Sequence, residues 1–149
     1  MRKFNYRFVL SNVGILLMIE ALFMLFSALI GEYYREEARQ AIYLSAGITL
    51  LAGGVLTFAD RALTFAGLEQ GERKRSITKR EVFLTVTLAW VTLALAGTLP
   101  YLLSGAIPSF TNAFFESMCG FSTTGSSTID NLEAFPRSLH FWRSFSQWI

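Results

Sequence analysis

Residues 105–137 read GAIPSFTNAFFESMCGFSTTGSSTIDNLEAFPR, and the architecture of the whole chain follows from how this stretch is read. Pro108, Ser109 and Thr111 are residues that open helices. Asn112 to Cys119 then reads as a short, largely apolar helix, with Gly120 as its expected C-terminal stop. At about 1.5 Å per residue such a helix reaches only part-way through a hydrocarbon core of roughly 30 Å. Phe110, Phe114, Phe115 and Met118 make it too apolar for an ordinary exposed loop. A re-entrant half-helix accounts for both properties. Directly behind it stands Ser122-Thr123-Thr124-Gly125-Ser126-Ser127-Thr128, a run of hydroxyls around one glycine. Irregular polar backbone at membrane depth is tolerated only where protein buries it or where it lines water.

Working outward, the flanking sequence supplies the membrane. Of the 149 residues, 52% are hydrophobic and only 16% charged, and mean hydropathy is +0.41. A soluble domain carries about a quarter charged residues. The apolar residues fall in long blocks, at 8–30, 41–59 and 82–103. The first is long enough to cross a bilayer, and its length favours a spanning helix over a signal peptide despite Arg2, Lys3 and Arg7 before it. In the second, Gly47, Gly53 and Gly54 permit close helix approach. Pro100 lies near the end of the third, where the helix is expected to bend or stop. The expected organisation is a leading hairpin at 1–60, a cytoplasmic basic loop at 61–81 and a helix–pore-loop–helix unit at 82–149. The fold class is all-α and membrane-spanning, with the last helix cut short at Ile149.

Charge sets the orientation. Three basic residues precede the first block, and the connection after the second carries six: Arg61, Arg73, Lys74, Arg75, Lys79 and Arg80. The first connection has only Arg35 and Arg39, offset by Glu32, Glu36 and Glu37. The positive-inside rule therefore places the N-terminus and the basic loop in the cytoplasm, and the half-helix enters from outside.

That placement has chemical content. The half-helix directs the negative end of its dipole into the membrane, where a cation is stabilised. The extended hydroxyl-and-glycine strand offers backbone carbonyls in place of a hydration shell. Gly125 is expected where a Cβ would clash or turn the carbonyls, because glycine adopts conformations closed to other residues. Glu116 on the half-helix and Arg143 on the next helix are candidates for a brace behind the strand.

The segment AFFESMCGFSTTGSSTI at 113–129, followed by FPRSLHFWRSFSQW at 135–148, resembles the first pore repeat of the Trk/Ktr/HKT cation transporters, and most closely their bacterial TrkH branch. The likeness spans essentially the whole chain, but its specific motif is confined to 112–148. It implies four successive helix–pore-loop–helix repeats around one pore, preceded by two extra helices. It carries over Thr123, Thr124, Gly125 and Ser126 as potassium-filter backbone, with Glu116 and Arg143 as structural support. Ser122 and Cys119 stand where the family more often has threonine and serine, and neither change removes a carbonyl. The resemblance further implies potassium uptake across the bacterial cytoplasmic membrane, a cytosolic nucleotide-binding regulatory partner of the TrkA type, and a homodimer of the full-length protein. Sodium, or another monovalent cation, is the competing cargo. A small tetramerising channel and a non-transporting membrane anchor are the competing architectures, although the two leading helices argue against the former.

Other classes find little support. Basic and aromatic residues do not interleave as a nucleic-acid groove requires; the apolar blocks make membrane lipid the expected contact, and the resemblance implies K+. One cysteine, Cys119, leaves no intrachain disulfide, and with the single His140 it leaves no metal cluster or cofactor site. No nucleophile–base pair suggests an enzyme. Cys119 reads as a packed small residue. Trp90, Trp142 and Trp148 read as packing residues or interface anchors. Glu20, ionisable in the middle of a spanning block, is a functional candidate that is equally well a partnered structural residue.

Overall fold

The computed structural model describes residues 6–65, 79–129, 131 and 135–149. Among the described residues the chain forms five helices: α1 (Tyr6–Tyr33), α2 (Ala38–Phe65), α3 (Lys79–Leu103), α4 (Phe110–Phe121) and α5 (Arg137–Ser146). Three of them, α1, α2 and α3, are long and apolar enough to cross a membrane, with mean hydropathies of 2.5, 1.8 and 2.0. The 12-residue α4 is not, as expected of a half-helix. The basic connection is narrower than 61–81, because α2 continues to Phe65 and α3 begins at Lys79. Arg73, Lys74 and Arg75, like Met1, lie outside the described residues. Pro100 does not end α3, which runs three residues further. The proline removes one intrahelical bond, the one its N–H would make to the Ala96 carbonyl, and only three residues follow it in the helix.

The interior is built on α1. Val9, Val13, Leu17, Ala21, Met24 and Ala28 recur at three- and four-residue steps and are all buried. Leu10, Ile15, Ile19, Leu22, Phe26 and Leu29, on the other side of the same helix, are exposed although apolar. A helix that is oily all round is a helix whose outer face meets lipid or further protein. Met24 and Ala28 share one core with Ile42 of α2, Tyr101 of α3, Ala113 of α4, and Leu139 and Trp142 of α5. The leading hairpin is thus packed into the repeat and is not an appendage.

Small residues set the close approaches. A Cβ on Gly53 would lie 2.7 Å from the Gly14 carbonyl, and one on Gly14 would lie 2.7 Å from that of Gly53. These two positions seal α1 against α2. Gly47 and Gly54 face open space and do not serve the contact.

Described residues of the α1–α2, α3–α4 and α4–α5 connections meet at one end. A cleft of about 740 Å³ opens there, lined by Glu36 and Glu37 after α1, Gly105 and Ile107 after α3, and Phe135 and Pro136 before α5. The N-terminus of α4 starts from this end, so α4 runs inward.

Candidate functional site

Helix α4 begins with Ser109 as N-cap in extended conformation; its side chain makes no capping bond, and its carbonyl accepts from the Ala113 N–H at 2.9 Å. The helix ends later than expected. Ser122 is the C-cap, the Thr123 N–H donates to the Gly120 carbonyl at 3.0 Å, and the Thr124 N–H to the Cys119 carbonyl at 3.2 Å. These paired bonds form a Schellman motif, with Thr123 at the left-handed position and φ of 55°. Gly120 therefore lies inside the helix and not at its stop. Its role is contact: a Cβ there would lie 2.2 Å from Ser146 Oγ, so glycine lets α5 pack against α4.

A β-branched residue at positive φ is strained, by roughly 1–3 kcal/mol. Thr123 takes this conformation immediately before the hydroxyl strand, and Ser122 Oγ lies 2.6 Å from Thr124 Oγ1 across the turn. Gly125 follows at φ 77°. A Cβ at Gly125 would meet nothing within 4 Å, so the expected clash is absent and backbone conformation alone calls for glycine. Two left-handed residues separated by one give the strand its course away from the helix axis.

Behind the strand lies the brace. Glu116 is completely buried on α4, and the Arg143 side chain on α5 is 17% exposed. Arg143 Nε donates to Glu116 Oε1 as a salt bridge. The Glu116 carboxylate also accepts from Ser127 Oγ at 3.0 Å and from the Thr128 N–H at 2.9 Å. Arg143 Nη2 donates to the carbonyls of Gly125 at 3.1 Å and Ser126 at 3.2 Å. One carboxylate and one guanidinium thereby hold four consecutive residues, 125–128, from the rear. The sequence treats the carbonyls of 123–126 as equivalent, whereas the structure divides them. Those of Gly125 and Ser126 are engaged by a cation of the protein, while those of Thr123 and Thr124 accept no hydrogen bond among the described residues.

Other candidates fall as follows. Cys119 is buried, and Trp142 is buried with its indole N–H donating to the Gly97 carbonyl at 3.2 Å. Trp148 is exposed. Glu20 is fully buried beside Gly97 of α3, and neither carboxyl oxygen has a hydrogen-bond partner among the described residues. Among the described residues no three His, Cys, Asp or Glu side chains gather as metal ligands. Two functional features were not read from the sequence: the strained turn at Thr123, and a link from Glu36 to α5 described below. A threonine after a helix carries no sign of a left-handed φ, and Glu36 lies a hundred residues from what it touches.

A helix long enough to span, a half-length helix, a turned hydroxyl segment and a second helix that braces it form one helix–loop–helix unit of a membrane protein. Comparison with known proteins narrows the class. The TrkH family model, described as a cation transport protein, matches residues 44–149. The chain is 33% identical over 145 residues to the Trk system potassium uptake protein TrkH of Vibrio parahaemolyticus, and 32% identical to that of Escherichia coli strain K12. An uncharacterized cation transporter of Methanocaldococcus jannaschii is 29% identical over 141 residues. The crystal structure of the Vibrio parahaemolyticus potassium transporter TrkH superposes with a TM-score of 0.82 at 32% identity, covering 97% of this chain and 29% of that one. The chain belongs to the TrkH family of cation transport proteins. The Vibrio and Escherichia matches take in 97% of this chain, which spans only 28% of the length of those relatives.

Proposed function

We propose that this chain supplies one of four filter strands to a potassium-uptake pore and is not an enzyme. The observation that carries the reading is the strand 123–128, turned by two positive-φ residues at the inner end of a half-helix and clamped from behind by Glu116 and Arg143. Carbonyls held rigidly from one side can replace a hydration shell on the other, and weak binding at several sites lets the ion leave. Within 123–126, Thr123 and Thr124 present the carbonyls available to the ion, and Gly125 and Ser126 are held in place by Arg143. Potassium as cargo is supported by relatives named for potassium uptake. Those relatives are also far longer than this chain, which favours a single-chain pore of several repeats over a small tetramerising channel or a bare membrane anchor.

The same reading places the protein in the bacterial cytoplasmic membrane, surrounded by lipid, with its N-terminus and the basic segment before α3 inside. That segment is the face a cytosolic nucleotide-binding regulator of the TrkA type would meet, and the full-length protein is a homodimer. The test is potassium-limited growth and sodium permeability in cells making the intact protein. Gly125→Ser forces a side chain onto a left-handed residue and is expected to weaken potassium uptake or selectivity without preventing membrane insertion. Thr124→Val, which changes a side chain and keeps the carbonyl, is expected to be milder. Normal uptake and selectivity in Gly125→Ser would overturn the filter assignment.

A further inference from the structure

Helix α5 carries Arg143, yet its own start is poorly equipped to hold it. The N-cap position is Pro136, which has no side-chain acceptor, and the first turn contains no acidic residue. The four leading N–H groups of a helix need partners. Leu139 and His140 find one locally, donating to the Pro136 carbonyl at 3.1 and 3.0 Å. The other two are met from outside the repeat. The Arg137 N–H donates to Glu36 Oε1 at 2.8 Å, and the Ser138 N–H and Oγ donate to Glu36 Oε2 at 3.0 and 2.6 Å.

Glu36 is delivered to this place by the end of α1. The Arg35 N–H bonds the Glu32 carbonyl at 3.1 Å, the Glu36 N–H bonds the Gly31 carbonyl at 2.9 Å, and Arg35 takes φ 53°. This is a second Schellman turn, and it projects Glu36 across to α5. Three further contacts fix the junction. Ser27 Oγ of α1 donates to the Ser138 carbonyl. A Cβ on Gly31 would lie 3.1 Å from that of Ser138, so α1 and α5 meet closely. The Arg137 guanidinium sits 4.6 Å over the Tyr34 ring. The charged neighbours of Glu36 are Arg137 opposite it and, on its own connection, Arg35, Glu37 and the Arg39–Glu32 ion pair at 3.2 Å.

We infer that Glu36 is a positioning residue for ion selectivity: it caps α5 in trans, and through α5 it sets Arg143 against the Gly125 and Ser126 carbonyls. The leading hairpin then has a task in the pore, which is to hold the far end of the lever that clamps the filter strand. This inference rests on the filter reading above. Arg143 lies six residues after Arg137, under two turns along α5, so a loosened first turn is close enough to shift the guanidinium. An oriented carboxylate at a helix N-terminus also interacts favourably with the helix dipole.

The test uses the full-length protein and two readouts: the potassium-to-sodium permeability ratio, and hydrogen exchange of the amides at the start of α5. Glu36→Ala is expected to raise exchange at Arg137 and Ser138 about fivefold, the size set by losing one helix cap. The permeability ratio should fall with protein level in the membrane unchanged. Adding Pro136→Ser to Glu36→Ala places a neutral cap within α5 and is expected to restore both readouts. Rescue by serine separates capping from mere attraction of cations by an outer carboxylate. An unchanged ratio in Glu36→Ala, or a ratio that Pro136→Ser fails to restore while exchange recovers, overturns the positioning role. A wild-type protein that moves no potassium overturns instead the pore reading on which it stands.

Discussion

Among the described residues two glutamates are completely buried, and their surroundings could hardly differ more. Glu116, on the half-helix, receives a guanidinium, a hydroxyl and a backbone N–H. Glu20, on the first spanning helix, has neither oxygen partnered among the described residues and lies beside the bare backbone of Gly97. Both are acids inside an apolar bundle, yet only one has a built environment. Burying an ionised or polar group is costly unless it is paired and hydrogen-bonded. The donors clustered around Glu116 therefore mark where the fold invests its polar groups, which is behind residues 125–128. Buried charge by itself does not mark the site; the company it keeps does.

The sharpest way to break this contrast is to strip the brace. Glu116→Ala leaves Arg143 without its carboxylate, and Arg143→Ala leaves a buried carboxylate without its cation. Either is expected to cost several kcal/mol, about 3–5 for a buried pair opened on one side. Thermal unfolding and membrane yield of the full-length protein measure it. Reversing both charges together should recover part of the yield lost in either single variant. Full yield in both single variants would mean that the brace is not a stabilising contact.

A smaller effect is expected where the chain is strained. Thr123→Gly relieves a left-handed threonine, worth roughly 1–2 kcal/mol, less the entropy that glycine returns to the unfolded chain. Net stabilisation of up to about 1 kcal/mol is expected, whereas Thr124→Gly, which relieves no such strain, should destabilise. Unfolding midpoints of the two variants decide it, and a destabilised Thr123→Gly would remove the Schellman reading.

Acid offers a further probe, at Glu36. Burial pushes its carboxyl up, but hydrogen bonds from Ser138 Oγ, the Ser138 N–H and the Arg137 N–H, with the charge of Arg137, outweigh it and hold the group below its ordinary 4.5. A carboxyl depressed on folding contributes stability above its unfolded value and loses it as pH falls through the folded one. Protection of the amides at the start of α5, corrected for the intrinsic pH dependence of exchange, should therefore fall only below about pH 4.5 in the wild type. In Glu36→Gln it should show no such step. A wild-type step at higher pH would assign it to another group.

The parts of this architecture that lay open in the sequence were those set by local pattern. Apolar blocks give spanning helices, and a block too short to span, followed by hydroxyls and glycine, gives a re-entrant loop. The brace was legible as well, because an acid and a base on adjacent apolar helices have few other places to go. What stayed hidden depends on geometry across the chain. The role of Gly120 is set by Ser146 on another helix, and the close approach expected of Gly47, Gly53 and Gly54 falls to Gly53 alone because only it faces Gly14. The division of the carbonyls of residues 123–126 depends on where Arg143 Nη2 comes to rest. Glu36 reads as an ordinary surface acid in a charged turn until α5 is seen to begin above it with a proline.

Glu20 supplies the finest test of the comparison. It touches no donor among the described residues, so replacing its carboxyl by an amide of the same shape removes no hydrogen bond that the structure contains. Glu20→Gln exchanges one unpartnered buried polar group for another, so it is expected to change the unfolding free energy by no more than about 1 kcal/mol and to leave potassium uptake unaltered. Glu20→Met, similar in volume and without unsatisfied polar atoms, is expected to be neutral or stabilising, since removing an unpaired buried polar group relieves its desolvation penalty. The same pair of changes at Glu116 should be damaging throughout, because methionine there abandons the guanidinium and the Thr128 N–H together. Thermal unfolding of the four variants, made in the full-length protein, gives the comparison directly. If Glu20→Gln were to lose uptake or melt several degrees lower, Glu20 would have a partner contributed by the remainder of the protein. The contrast between the two acids would then be one of which segment supplies the partner, and no longer of whether one exists.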